Sequence, residues 1–314
     1  MNYELSEKIL EEIKNAKRIL VNYHRSPDPD AIGCALAMYK ALKEMGKDVK
    51  VIGPDEILEY YKFLPDIKNL EKIDFSTFDF SSYNLFIVLD SSNWRMAARG
   101  DFQRPKIKTV VIDHHKTNEM FGDINLVDEK LSSCAELVYK LFEDWGVKID
   151  KEIAQVLLTG ILADTGIFQY PGANLETFEI SQKLMKLGAD KDEIIFNIER
   201  RIDFAHIKMW GEILRRIQID HEYKFVWSAV DYETYEKFGK PESAKESAAS
   251  KFSQNVEGTD FGMIMVEEQK RVLSVSFRSR TGFDVSKVAL KLGGGGHIGA
   301  AGGKVSGLAF DEAV

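Results

Sequence analysis

Residues 18–30 read RILVNYHRSPDPD, and the fold follows from how this stretch is built. The run Arg18 to Tyr23 is apolar enough for a strand buried on both faces, and it stops at His24. From Ala31 to Met45 apolar residues recur at helical spacing until Gly46, after which Val49 to Ile52 is again strand-like and Gly53-Pro54 breaks it. A strand, a helix and a second strand therefore surround one polar turn. That turn carries His24, Asp28 and Asp30, an H-x-x-x-D-x-D pattern whose three side chains converge only if the backbone bends, and Pro27 and Pro29 favour such a path. Taken alone, it also reads as an Asx-rich turn with Asp30 capping the following helix.

The same pattern repeats outward from this unit. Leu5, Ile9 and Ile13 mark an amphipathic first helix. The run Leu85 to Leu89 ends at Asp90, and Thr109 to Ile112 ends at Asp113-His114-His115. Helical patterns follow at 133–145 and 152–163, the second closing on Asp164-Thr165-Gly166. In an open parallel α/β sheet, ligands sit beyond the carboxyl ends of the strands, so these polar ends predict one shared site. Residues 177–187 and 191–219 read as helices leading out of this domain. Beyond them, short runs at 225–230, 262–266 and 272–277 read as strands of a smaller α/β domain that closes on Gly293 to Gly296, His297, Gly299, Gly302 and Gly303. The expected architecture is α/β: a mainly parallel, doubly wound domain over 1–187, a helical linker over 188–219, and a mixed-sheet domain over 220–314.

Composition bounds the function. The 314 residues carry a net charge of −8, the wrong sign for a protein that coats long nucleic acid. Two cysteines, Cys34 and Cys134, are too few for a disulfide scaffold or a cysteine zinc site and fit a reducing compartment. The first 20 residues are charged and amphipathic, with no signal or transit pattern, and no apolar run approaches a membrane span. A cytoplasmic protein without a membrane partner is expected.

The polar strand ends bring the carboxylates of Asp28, Asp30, Asp90 and Asp164 together with the imidazoles of His24 and His114. Unpaired anions cannot share a dry crevice without cations. Oxygen and imidazole ligands without thiolate suit manganese or magnesium, with cobalt, zinc and iron fitting the set less well. The number of anions points to two divalent ions, an arrangement that serves in-line displacement at phosphorus. Neither a G-x-S-x-G elbow nor a placed Cys-His pair appears.

In this order, His24/Asp28/Asp30, Asp90, Asp113-His114-His115 and Asp164 resemble the four motifs of the DHH phosphoesterase superfamily. Phe277-Arg278-Ser279 and Gly293 to His297 resemble the DHHA1 domain that often follows. The resemblance spans nearly the whole chain and is strongest to the stand-alone nanoRNase A-like group of oligoribonucleases and pAp phosphatases. It implies two Mn²⁺ ions, replaceable by Mg²⁺ or Co²⁺, one on His24, Asp28 and Asp90, the other on Asp30, Asp90, His114 and Asp164, with Asp90 bridging. It also implies that His115 contacts the scissile phosphate, that Asp113 orients an imidazole, and that Arg278, Ser279, Gly295, Gly296 and His297 bind substrate. The implied activity is hydrolysis of di- to pentanucleotides such as pApA, pGpG or nanoRNA to 5′-mononucleotides. Open alternatives are pAp or cyclic di-AMP hydrolysis, then exopolyphosphatase, pyrophosphatase or a non-catalytic nucleotide sensor. Subunit number stays open, a homodimer included. Ser91, Arg95 and Thr165 are weaker substrate-contact candidates, and Trp94, Phe63, Phe75, Phe78 and Phe80 serve either base stacking or the core.

Overall fold

The computed structural model describes residues 3–100, 103–170, 172–296 and 298–314. The chain divides between Arg201 and Ile202 into two compact units.

The first unit runs α1 (Leu5–Asn15), β1 (Arg18–Asn22), α2 (Pro29–Glu44), β2 (Asp48–Gly53), β3 (Leu70–Lys72), β4 (Leu85–Leu89), α3 (Trp94–Ala98), β5 (Lys108–Asp113), β6 (Ile124–Val127), α4 (Cys134–Trp145), α5 (Lys151–Asp164), α6 (Leu175–Lys186) and α7 (Lys191–Glu199). Its strands form one parallel sheet in the order β3-β2-β1-β4-β5-β6. Strand side chains alternate between two cores. Ile19, Val21, Ile87, Leu89, Val110 and Ile112 pack with α2, α4 and α5, while Leu20, Phe86, Val88 and Val111 pack on the opposite face. Burial on both faces is why β1, β4 and β5 read as continuous apolar runs. Phe75, Phe78, Phe80 and Trp94 belong to that second core, where Trp94 lies edge-on to Phe75 and Phe86 at 5.9 and 6.2 Å, and Phe63 packs against the first. Strand order reverses between β1 and β4, so a crevice opens where His24 and Asp90 leave the sheet.

Two of the sequence expectations change here. Asp28, not Asp30, caps α2: its Oδ1 accepts from the backbone N–H groups of Asp30 and Ala31 at 3.0 and 2.9 Å, and Pro29 occupies the first helical position. The helical reading of 191–219 runs too far: Asp203 accepts from Ala205 N and starts α8 (Phe204–Arg215), which ends four residues before Ile219, and Gln218–Asp220 is strand.

The second unit continues with β7 (Gln218–Asp220), β8 (Phe225–Val230), α9 (Tyr232–Lys237), α10 (Ala244–Lys251), β9 (Phe261–Gln269), β10 (Val272–Ser279), α11 (Val285–Lys291), β11 (Gly295–Gly296), β12 (Ala300–Ser306) and α12 (Phe310–Ala313). Its sheet, ordered β11-β12-β10-β9-β8-β7, is mixed, with β8 and β9 parallel and the other pairs antiparallel. One face, including Val230, Ile264 and Val266, packs with α8 and α10; the other, including Met265, Val275 and Phe277, packs with α11. Glycine is required in the β11–β12 hairpin, since a Cβ on Gly294 would lie 2.0 Å from Gly302 O and Gly296 has φ +145°. Among the described residues, no helix is long and apolar enough to cross a membrane.

Candidate metal centre

His24 follows β1 and is buried. Its Nδ1 lies 2.8 Å from the carbonyl oxygen of Arg25. A carbonyl only accepts, so Nδ1 carries a proton, and Nε2 is the atom turned to the crevice, free to coordinate once it is deprotonated. Nε2 stands 3.4 Å from Asp90 Oδ2 and 3.5 Å from Asp28 Oδ2. Because the cap bonds occupy Asp28 Oδ1, its second oxygen is the one turned toward His24.

His114 repeats this logic. Its Nδ1 donates to Leu131 O at 3.3 Å, and its Nε2 lies 3.2 Å from Asp164 Oδ2 and 3.5 Å from Asp90 Oδ1. Asp164 is the last residue of α5. Asp30 completes a second group with His114 and Asp164, alongside the group formed by His24, Asp28 and Asp90. Asp30 is fully buried and accepts from the first two N–H groups of α4, Cys134 at 2.6 Å and Ala135 at 3.0 Å. Asp90 connects the groups by turning one oxygen to each imidazole. It does so from the left-handed region, φ +51°, which Asp tolerates better than most residues.

These residues fit a pair of divalent cations. His24 Nε2, His114 Nε2 and Asp90 Oδ1 are buried without a hydrogen-bond partner among the described residues, a costly state that coordination relieves. Separations of 3.2 to 3.5 Å are long for hydrogen bonds between ring nitrogen and carboxylate. They suit two ligands on one ion, which at bond lengths of about 2.1 Å stand roughly 3.0–3.5 Å apart.

The crowded charges perturb one another. Burial opposes protonation of His114, but the adjacent Asp164 carboxylate and the charges of Asp90 and Asp30 push it up to about 11. For His24 burial likewise opposes the charge, and Asp28 and Asp90 prevail, holding it well above the usual imidazole range. Burial, with Asp28 and Asp90 nearby, raises Asp164 to about 6 against the pull of His114. Burial and the neighbouring carboxylates also drive Asp30 well upward. In each case the crowded carboxylates favour the protonated form of a neighbour.

Asp113 is turned away from these groups. Its Oδ1 accepts from His115 Nδ1 at 2.7 Å and its Oδ2 from Asn118 Nδ2 at 2.6 Å. Asn118 also donates to Ser91 O at 3.1 Å, tying the loop after β5 to the loop after β4. Sequence reasoning missed Asn118, although its place five residues after Asp113 in one polar loop was the available signal. Ser91 and Thr165 spend their hydroxyls on Leu89 O and Ile161 O, and Arg95 is exposed on α3.

In the second unit Arg278, Gly295 and Gly296 line a pocket of about 620 Å³ with Lys245, Ser274 and Ser276. Arg278 donates from Nε to Ser250 Oγ at 2.8 Å. Ser279 points to the opposite face of β10, where its Oγ accepts from Gly282 N at 3.1 Å. His297 lies outside the described residues.

A doubly wound sheet with carboxylates and imidazoles gathered at its switch point, and a separate unit holding an anion-suited pocket, define a metal-dependent phosphoesterase. The N-terminal domain model of the DHH family matches residues 18–161 and the DHHA1 domain model matches 225–314; the chain belongs to the DHH family, in its nanoRNase A-like group. It is similar to the "bifunctional oligoribonuclease and PAP phosphatase NrnA" of Thermus thermophilus, at 31% identity over 94% of this chain and 86% of that one. The Bacillus subtilis protein of the same name is 28% identical over 94% and 91%. The cyclic-di-AMP phosphodiesterase PdeA of Listeria monocytogenes is 27% identical over 98% of this chain and 48% of its own length. Among solved structures, an exopolyphosphatase-related protein from Bacteroides fragilis matches with a TM-score of 0.90 and 26% identity, over 98% of this chain and 92% of that one.

Proposed function

We propose that this protein is a Mn²⁺-dependent phosphodiesterase of the cytoplasm that hydrolyses di- to pentanucleotides, such as pApA and pGpG, to 5′-mononucleotides. The observation that carries the reading is Asp90, whose two carboxylate oxygens face two separate ligand groups and so suit a bridging role between two ions. His24, Asp28 and Asp90 would hold one ion, and Asp30, Asp90, His114 and Asp164 the other. Bound there, divalent ions supply Lewis acidity, neutralising phosphoryl charge and acidifying water.

The chain's own groups do the rest. Asp113 fixes the His115 ring through Nδ1 and raises its pKa, which keeps Nε2 a donor toward a phosphoryl oxygen. Asn118 holds Asp113 in that orientation. Arg278 and the backbone N–H groups of Gly295 and Gly296 would grip a phosphate in the second unit. The names of the Thermus and Bacillus relatives support a second activity, removal of the 3′-phosphate of pAp at the same metals.

A turnover panel with Mn²⁺ over pApA, pGpG, pAp, cyclic di-AMP and tripolyphosphate tests the reading, with Asp90→Asn as control. Preference for pApA or pGpG, lost in the control, is expected. Inactivity on all nucleotides, or faster hydrolysis of tripolyphosphate, overturns it.

A further inference from the structure

Both imidazoles that face the metal groups point Nδ1 at a backbone carbonyl, and in each case the same peptide group has a carboxylate on its other side. His24 Nδ1 donates to Arg25 O at 2.8 Å. The N–H of that peptide belongs to Ser26, and it donates to Asp55 Oδ2 at 2.6 Å. His114 Nδ1 donates to Leu131 O at 3.3 Å, and the N–H of that peptide, on Ser132, donates to Glu136 Oε2 at 3.2 Å. The two histidines thus share one chain of groups, running from carboxylate to peptide to imidazole.

Local helix and turn geometry does not account for either carboxylate. Glu136 is the third residue of α4, where a glutamate ordinarily accepts from the N–H of the N-cap. The N-cap here is Ser133, yet the Glu136 carboxylate passes it and takes the N–H and the hydroxyl of Ser132, at 3.2 and 2.6 Å. Glu136 is also fully buried, which is costly for a carboxylate unless hydrogen bonds hold it. Asp55, in the loop after β2, is fixed by the buried Tyr23, whose hydroxyl donates to Asp55 O at 3.0 Å. Arg99 Nη2 donates to Asp55 Oδ2 at 2.7 Å. Ser26, midway between His24 and Asp28, lies in the left-handed region at φ +48°, where serine is uncommon, and the bond from its N–H to Asp55 holds it there.

A carboxylate that accepts from a peptide N–H polarises the amide, and its carbonyl becomes a stronger acceptor. A stronger acceptor keeps the proton on Nδ1 and fixes the ring with Nε2 toward the metal position. We propose that Asp55 and Glu136 are positioning residues for the metal-facing imidazoles, Asp55 for His24 and Glu136 for His114, each acting through one peptide group. The proposal rests on the metal-dependent reading and names what orients two of its ligands. Interposing a peptide has a physical advantage. Asp113 bonds His115 directly, but a carboxylate set directly on His24 or His114 would add another anion beside Asp28, Asp30, Asp90 and Asp164. The peptide passes on the orientation and keeps the extra charge at a distance.

Two measurements on the full chain test this. The first needs no metal: with isotopically labelled histidine, the Nδ1–H resonances of His24 and His114 report their bonds to the two carbonyls. Asp55→Ala is expected to move or broaden the His24 signal alone, and Glu136→Leu the His114 signal alone. Asp55→Asn keeps an acceptor for the Ser26 N–H and should perturb His24 less than Asp55→Ala does. The second is calorimetric titration with Mn²⁺, in which affinity at one site should fall about tenfold or more in Asp55→Ala and in Glu136→Leu, and less in Asp55→Asn. An unmoved His24 signal or an unchanged Mn²⁺ affinity in Asp55→Ala overturns the proposal. So does a variant that perturbs both rings and both sites alike, which is what a general loss of stability would produce. Asp55 is partly exposed, so its variants decide the matter if Glu136→Leu fails to fold. If wild type binds no Mn²⁺, the metal reading falls, and the Nδ1–H resonances alone judge the two carboxylates.

Discussion

Gly160 on α5 sits so close to Asp30 on α2 that a Cβ at position 160 would fall 2.4 Å from Asp30 Oδ1 and 2.9 Å from Ala135 Cβ. The three helices that shape the ligand-bearing side of the sheet meet at this point, and the absent side chain is what lets the carboxylate reach both α4 and His114. Gly160→Ala is therefore expected to displace Asp30 and to cost about 1–3 kcal/mol by overpacking, outweighing the gain of up to about 1 kcal/mol that alanine brings to a helix. Gly211 in α8 has open space where its Cβ would stand, so Gly211→Ala is expected to stabilise by about 0.5–1 kcal/mol. Urea unfolding of the two variants should give shifts of opposite sign, with Mn²⁺-dependent turnover falling only in the first. Equal shifts would show that the contact at Asp30 is soft.

Asp90→Asn isolates the bridging carboxylate from its backbone. Asparagine accepts the left-handed conformation at φ +51°, so the loop after β4 should persist. Removing one shared ligand takes away several kcal/mol of transition-state charge stabilisation, and turnover should fall on the order of a thousandfold. Mn²⁺ should raise the melting temperature of wild type and do so much less in the variant. A full Mn²⁺-dependent rise in Asp90→Asn would assign the bridge elsewhere.

Much of this site is legible in the amino-acid sequence. β1, β4 and β5 are buried on both faces, so they read as unbroken apolar runs, and the runs end where His24, Asp90 and Asp113 begin. Other parts obey rules that sequence periodicity does not express. β6 (INLV) is a short edge strand that turns Asn125 and Val127 partly outward, β3 (LEK) is shorter still, and β12 (AAGGKVS) is glycine-rich because the hairpin beside it needs close backbone contact. Lys245 sits in SAKESAAS, which looks featureless in sequence. Its meaning comes from Ser274, 29 residues later, which only the packing of α10 on β10 brings within reach. The direction of Asp113 is likewise set by Asn118, which lies outside its motif, together with His115 within it.

The imidazoles that face the metal groups hold their protons unusually tightly in the metal-free chain: His114 is pushed up to about 11 and His24 lies well above its ordinary value, in both cases because carboxylates outweigh burial. A cation must displace those protons, so loading at pH 7.5 is expected to release about one to two protons and to weaken as pH falls. Calorimetric titration with Mn²⁺ in two buffers of different ionisation enthalpy reads the number directly. Zero release would mean that Nε2 of both rings already carries a lone pair before metal arrives.

A second pH dependence is expected far from the metals. Arg216, after α8, donates from Nη1 to Asp231 at 2.7 Å and from Nε to Glu212 at 2.6 Å. Burial works against the Asp231 carboxylate, but its bond to Arg216 holds it at about 2, and Arg215 together with Arg216 holds Glu212 at about 2. Both lie below the values near 4 expected in an unfolded chain. A carboxylate with a lowered folded value stabilises in full above the unfolded value and loses that contribution as pH falls toward the folded one, here between about pH 5 and pH 2. These groups are partly exposed, so the cluster contributes about 1 kcal/mol rather than the larger figure the shifts imply. Urea unfolding of wild type and Arg216→Met, both with chelator so that the metal site behaves alike in each, should show a gap of about 1 kcal/mol at pH 7 that narrows to roughly half by pH 3 and goes on closing toward pH 2. A gap that stays constant across that range would place the contribution of Arg216 in packing of its aliphatic stem, independent of the two carboxylates.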